Sequence, residues 1–338
     1  MTDPDLEAGL AAWLTERVGA PVRVGRCARP ASGMSNDTLL TDVDWGEGAR
    51  RIVVRLTPSG RALFPRYDLG AQVAVLRALA AHSDVPVPRV LWWEPDATPL
   101  GRPFYVMEHV DGRIPPDGHL FGGWVMELEP RDQGRLLDGA LDVLARIHRV
   151  TVEAAGDAFA VLDRLEQGSA PLEQDLAWWR AYLDWATDGD RLPRLEDAYA
   201  TLVDTRPPTA EVERGLVWGD ARLGNLVVDD TLAPVAVLDW EMAVMGPPEL
   251  DVGWYLFLDR TARQFAPQLP GFPDAVGFVA AYERHLGRPV RHVAWYEAWS
   301  GFRTACIQVR MAATDDARER NPVTKALRTC LTELAADP

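Results

Sequence analysis

Apolar positions recur at helical spacing from the start of the chain: Leu6, Leu10, Trp13, Leu14 and Val18 share one face. Asp3 suits the N-cap of that helix, Pro4 its first position, and Gly19 its end. Three strand-like stretches follow, at 22–28, 38–45 and 51–56, then a helical pattern over 67–82 and a proline-punctuated segment at 84–90. Residues 104–110 read as a buried strand that Gly112 breaks. Beyond it the period turns helical, over 131–149, 172–186, 194–203, 273–286, 291–311 and 323–335, with a further helix beginning at Glu249. One block interrupts this helical half. Between 215 and 251, short apolar runs at 216–218, 226–228 and 234–238 alternate with polar loops, which suits buried strands holding those loops in place.

The loops of that block carry chemistry. The stretch reads GLVWGDARLGNLVVDDTLAPVAVLDWEMAVMGPPELD, with Asp220, then Asn225 five residues on, then Asp239 at the end of an apolar run and Glu241 two positions further. Phosphoryl transfer needs an aimed acceptor hydroxyl and neutralised phosphate charge rather than covalent help from the protein. Asp220 is suited to accept the hydroxyl proton, and Asn225 and Asp239 offer the hard oxygen ligands that magnesium prefers. The plainer alternative is that these are solvated loop acids.

WGDARLGN followed by VLDWE resembles the HGD-x4-N and iDWE motif pair of aminoglycoside phosphotransferase-like small-molecule kinases, most closely their actinobacterial and acyl-CoA-dehydrogenase-associated branch. The resemblance spans nearly the whole chain. It implies an α+β, bilobal, protein-kinase-like fold: a nucleotide-binding N-lobe with a small antiparallel β-sheet over 1–111, and a mostly helical catalytic and acceptor-binding C-lobe over 112–338. It further implies Asp220 as the catalytic base, Asn225 and Asp239 as Mg2+ ligands, and ATP or GTP as donor. In the loop 30–36, between the first two strands, Ser32, Gly33, Ser35 and Asn36 would let backbone amides approach the phosphates. Arg55 aligns with the family's phosphate-holding Lys, the alternative being a solvated strand residue. Met107 takes the gatekeeper position, and the Glu108 carbonyl and Val110 amide face the purine. His148, tempting as a base, is expected to pack against the catalytic loop, and Asp251 to tie the following helix to it. In relatives the helices around 170–205 and 254–311 build the acceptor pocket. The aromatic stripe of Trp178, Trp179, Tyr182 and Trp185 reads either as core or as an apolar acceptor site.

Three positions depart from the family pattern: Trp218 replaces the usual His, Arg55 the usual Lys, and Gln72 the Glu that pairs with that Lys. Gln72 can still hydrogen-bond Arg55, with Asp68 one turn earlier as a compensating charge. Two readings follow. One is a kinase for a hydroxyl of a small molecule, an aminoglycoside-like antibiotic or a hydroxylated metabolite. The other is a nucleotide-binding pseudokinase with a sensing or scaffolding role.

The whole chain narrows the partners. Its 338 residues favour two lobes over one core. A net charge of −15 disfavours nucleic acid and anionic membranes. No apolar run approaches the roughly 20 residues of a membrane span, and the acidic N-terminus is unlike a secretory signal, so a cytoplasmic monomer or homodimer is expected. Cys27, Cys306 and Cys330 are widely spaced, which argues against a disulfide framework or a zinc site.

Overall fold

The computed structural model describes residues 3–29, 37–46, 48–116, 123–151, 156–209, 212–312 and 322–336. The loop 30–36, with Ser32, Gly33, Ser35 and Asn36, lies outside the described residues.

The N-terminal part is an antiparallel sheet of five strands with a helix on each face. Helix α1 (Asp3–Val18) precedes β1 (Arg23–Val24), β2 (Asp37–Asp44) and β3 (Ala49–Leu56); α2 (Leu69–His82) precedes β4 (Val90–Glu94) and β5 (Phe104–Glu108). The strand order is β1-β2-β3-β5-β4. Alternation along β3 and β5 sorts their side chains. Ile52, Val54, Leu56, Phe104 and Val106 join Leu6, Leu10, Trp13 and Leu14 of α1 in one core. Val53, Tyr105 and Met107 face the other way, into the core that holds Val75, Leu76 and Leu79 of α2. Arg55, two residues after Val53, therefore points to the same side. Its register partners are Thr38 on β2 and Tyr105 on β5.

The remainder is mostly helical: α3 (Pro130–His148), α4 (Pro171–Ala186), α5 (Pro193–Asp204), α6 (Glu249–Ala262), α7 (Ala275–Leu286), α8 (Val293–Met311) and α9 (Pro322–Ala336). Between α5 and α6 sit two small antiparallel pairs. Strand β6 (Gly215–Val217) pairs with β9 (Val244–Gly246), and β7 (Leu226–Val228) with β8 (Pro234–Val237). Gly112 starts the crossing between the two parts. It adopts φ 152°, and a Cβ there would lie 2.6 Å from both the Val227 side chain and the Val228 carbonyl. Arg113 and Val228 then exchange backbone hydrogen bonds of 2.8 and 2.9 Å.

The pattern misses two strands. Val90–Glu94 follows the proline-rich stretch without alternating polarity, and Val244–Gly246 is too short to show a period. Conversely, the strand expected over 22–28 is reduced to Arg23–Val24 plus a single bridge from Ala28 to Leu40. All three cysteines are buried and none forms a disulfide. No helix among the described residues is long and apolar enough to cross a membrane.

Candidate active site

Three backbone segments converge between the two parts. The first is the loop after β6. Gly219 has φ 91°, and a Cβ there would sit 2.1 Å from the Met242 carbonyl, so the chain passes too close for any other residue. The buried carboxylate of Asp251, in the first turn of α6, accepts the Trp218 amide at 2.8 Å and the Gly219 amide at 2.7 Å. His148 holds that carboxylate from the far side, with Nε2 at 2.9 Å from Oδ2 and Nδ1 at 2.6 Å from the Tyr282 hydroxyl. His148 is thus spent on positioning Asp251, and no polar atom of its ring remains for proton transfer.

The same loop aims Asp220. Its Oδ2 accepts from Asn225 Nδ2 at 2.7 Å and Arg222 Nε at 2.9 Å, and its Oδ1 accepts from Trp254 Nε1 at 2.9 Å. Burial raises its pKa to about 7, and the charge of Asp239 adds to that shift; the donors Asn225 and Trp254 and the charge of Arg303 pull it down. A carboxyl poised near neutrality is suited to accept a proton in the reaction and release it afterwards.

The second segment follows β8. Asp239 lies in the left-handed region at φ 59°, unusual for a residue other than glycine. Leu238 N donates to the Asn225 carbonyl at 2.8 Å, which ties this loop to the first. Trp218 adds a second tie: its indole Nε1 donates to the carbonyls of Leu238 at 2.8 Å and Asp239 at 3.2 Å. The residue that departs from the family motif thus fastens the Asp220 loop to the Asp239 loop.

The third contribution is Arg55, whose Nη2 donates to Asp239 Oδ1 at 3.0 Å. The expected partner was Gln72 or Asp68, and neither is used. Gln72 Oε1 accepts the Tyr105 hydroxyl at 3.3 Å, and Asp68 caps α2 by accepting the Ala71 amide at 2.8 Å. For Gln72 the physical reason is charge, since a neutral amide cannot outcompete a carboxylate for a buried guanidinium; Asp68 is engaged at its cap. Burial, the largest single influence, opposes the charge of Arg55, but Asp239, Tyr105 and Glu241 together outweigh it and keep the guanidinium protonated.

A cavity of about 210 Å³ opens between the sheet and these loops. Leu40, Val53, Leu76, Met107, Val227 and Val237 give it apolar walls, Glu108 and Val110 lie at one side, and Arg55, Asn225 and Asp239 line its polar end. With Nδ2 of Asn225 committed to Asp220, its Oδ1 is the atom available to a cation. One carboxylate and one amide oxygen at the end of an apolar slot fit Mg2+, which takes few protein ligands and shares the rest with phosphates and water. Consistently, no group of three or more His, Cys, Asp or Glu among the described residues is arranged to hold a metal alone.

Sequence reasoning missed three groups around Asp220. Arg222 lies within the quoted motif, and Trp254 stands one turn after Asp251 on the same helix face, so both were open to view. Arg303, buried in α8, lies 84 positions from Gly219, with Nη2 3.4 Å from the Gly219 carbonyl, and only an arginine amid core residues marks it.

The kinase-like scaffold thus places two carboxylates and an asparagine on linked loops beside the sheet. Residues 26–290 match the model of the phosphotransferase enzyme family, APH, and the chain belongs to that family. Among curated proteins it is similar to acyl-CoA dehydrogenase family member 10 of Mus musculus, 32% identical over 271 residues, covering 76% of this chain and 24% of that protein. It is also similar to acyl-CoA dehydrogenase family member 11 of Gallus gallus, 30% identical over 225 residues, covering 66% of this chain and 27% of that protein. The chain therefore spans about a quarter of the length of these relatives. Among solved structures, a Ralstonia eutropha protein assigned as an aminoglycoside phosphotransferase superposes with a TM-score of 0.72 at 24% identity, covering 96% of this chain and 98% of that one. Macrolide 2'-phosphotransferase MphH of Brachybacterium faecium superposes at 0.58 and 19%, covering 94% and 97%. Both show the same fold.

Proposed function

We propose that this chain transfers the γ-phosphoryl group of a purine nucleoside triphosphate, ATP or GTP, to a hydroxyl of a small molecule. The observation that carries the proposal is that Asn225 and Asp239 line one apolar slot on linked loops, with Asp220 hydrogen-bonded to Asn225 behind them. Solved relatives of the same fold include an aminoglycoside phosphotransferase bound to ADP and another bound to GDP, which supports a nucleotide donor.

In this reading Met107 lies at the back of the slot, and the Glu108 carbonyl and Val110 amide meet the purine edge. The part up to Asp111 holds the nucleotide with Ser32, Gly33, Ser35 and Asn36, and the part from Gly112 onward supplies the chemistry. Arg55 holds phosphate oxygens while keeping contact with Asp239. Asn225 Oδ1 and the Asp239 carboxylate would hold Mg2+, which neutralises phosphate charge when bound. Asp220 accepts the acceptor's hydroxyl proton as that oxygen bonds to the γ-phosphorus. The bond from phosphorus to the bridging oxygen breaks, and the nucleoside diphosphate leaves.

Conversion of Trp218 into a brace and of Arg55 into an Asp239 partner supports the enzyme over a pseudokinase, because both substitutions keep the catalytic loops linked. Incubation with ATP, Mg2+ and a library of hydroxyl compounds, read by mass spectrometry, tests the proposal. A phosphorylated product supports it, and nucleotide binding without any product across the library favours the sensing role.

A further inference from the structure

A second cavity, of about 460 Å³, lies beside the first and shares Trp240 with it. Its walls come from α4, from the turns Gly156–Leu162 and Leu165–Gln167, from the start of α2 and from the loop after Asp239. It also reaches the catalytic loop. Arg303 lines it, donates to the Gly219 carbonyl and lies over the face of Trp254, the residue that donates to Asp220.

Two features of this cavity stand out. The first is unmet hydrogen-bonding capacity. Arg303 is 1% exposed, yet its Nε and Nη1 have no hydrogen-bond partner; Nη1 of Arg164 and Oε1 of Gln167 are likewise buried and unmatched. Leaving buried charged donors unpaired is costly, so such groups mark a place where a ligand completes the site. Burial, reinforced by the charge of Arg303, lowers the Arg164 pKa to about 10, although Asp175 opposes the shift. The second feature is occupation of the aromatic faces. Arg164 lies 4.5 Å from the Trp178 ring, Arg303 5.2 Å from Trp179, and Arg310 4.2 Å from Trp185. The indole surfaces that would cage an ammonium already hold the chain's own cations.

The acids around the cavity are largely engaged. Asp163 pairs with Arg214, Asp175 accepts from Trp299, and Asp68 caps α2; Glu166 stands exposed at the rim, and Glu241 lies on the loop after Asp239. Arg66 adds a third cation to the lining.

We propose, resting on the phosphotransferase reading, that the acceptor is a hydroxylated organic anion whose carboxylate or phosphate group is clamped by Arg303 and Arg164. Gln167 Oε1 accepts a hydrogen bond from a polar group on its body, and Leu162, Trp178 and Tyr182 cover its apolar part. A polycation is refused twice, by the guanidinium groups and by the occupied indole faces.

Calorimetry tests this without requiring transfer. The chain, alone and loaded with Mg2+ and the non-hydrolysable AMP-PNP, is titrated with hydroxyalkanoates of graded length, their methyl esters, hydroxyalkyl phosphates and choline. The anions are expected to bind at least about 10-fold more tightly than the esters, with no heat from choline. Arg164→Met is expected to weaken the anions by roughly 10- to 100-fold and leave AMP-PNP affinity unchanged, as loss of a charge-assisted hydrogen bond implies. Arg303→Lys is expected to weaken them less. The tighter of the two anion classes identifies the clamped group. Binding of esters or choline as tight as that of the acids, no binding of either anion, or indifference of the anions to Arg164→Met would overturn the clamp. Since binding is read apart from transfer, a chain that phosphorylates neutral alcohols but ignores these anions sinks the clamp and keeps the kinase. A chain that binds them without ever transferring phosphate does the reverse.

Discussion

Nη2 of Arg55 donates to Oδ1 of Asp239 at 3.0 Å, joining residues 184 positions apart and linking the sheet to the catalytic loops. In the family pattern the equivalent cation would face a helix acid. Here that helix offers Gln72, which is taken by Tyr105, so the cation settles on the residue assigned to magnesium. This pair ties the sheet to the loops below it, and in the proposed reading Arg55 keeps it while meeting the phosphates.

Arg55→Ala is therefore expected to act twice. It removes a phosphate contact, raising the nucleotide dissociation constant by roughly 10- to 100-fold, and it leaves Asp239 partly buried without its cation, costing about 1–3 kcal/mol of stability. Arg55→Lys restores part of both, since an ammonium lacks the planar fork. Nucleotide titration together with thermal unfolding of the two variants checks this. An Arg55→Ala chain that binds nucleotide within about twofold of wild type would remove Arg55 from the phosphate site.

Trp218→Phe keeps the buried ring and deletes the indole N–H that reaches Leu238 and Asp239. A stability loss of about 1 kcal/mol is expected, with weaker magnesium-dependent nucleotide binding because the Asp239 loop loses its tie. Denaturant unfolding and calorimetry with and without Mg2+ measure the two effects. Unchanged metal dependence would make Trp218 a packing residue only.

The motif block made these loops legible before any coordinates, because Asp220, Asn225 and Asp239 sit close in sequence on strands too short to be anything but supports. The sequence placed Arg55 on a strand, and the structure shows that the strand's alternation turns it to the face of Val53. What the sequence could not show was the partner of Arg55. That contact depends on how two parts of the chain meet, and no local pattern encodes it. Arg303 was hidden for the same reason, since helical period alone does not reveal which buried position borders a cavity.

Asp239 also controls the proton on Asp220. The Asp220 pKa is raised from 3.8 to about 7, first by burial and then by Asp239. Between those values the folded chain binds a proton that the unfolded chain has released, so this group's contribution to stability falls as pH rises from about 4 to about 7. Asp239→Asn removes the neighbouring charge and should lower the Asp220 pKa. The fall in stability should then still begin near pH 4 but end at lower pH. Unfolding free energies of wild type and Asp239→Asn from pH 4 to 8 check the sign. Superimposable pH profiles would mean that the two carboxylates are not coupled. For wild type, kcat/KM should rise with pH through an apparent pKa of about 7 in the free enzyme.

Metal dependence separates the two proposed ligands. Asp239→Ala should weaken magnesium-nucleotide binding strongly and Asn225→Ala less, since the second removes only a neutral oxygen. Calorimetry of ATP with and without Mg2+ distinguishes them. Equal affinities for wild type and Asp239→Ala in Mg2+ would withdraw Asp239 from the metal.

The most direct measurement is phosphoryl transfer by wild type and Asp220→Asn side by side, with ATP, Mg2+ and one hydroxylated acceptor, followed by mass spectrometry at equal nucleotide occupancy. Wild type is expected to yield the phosphorylated acceptor, and Asp220→Asn to be slower by roughly 10²- to 10⁴-fold with nucleotide affinity retained. Equal rates for the two proteins would contradict the assignment of Asp220 as the base.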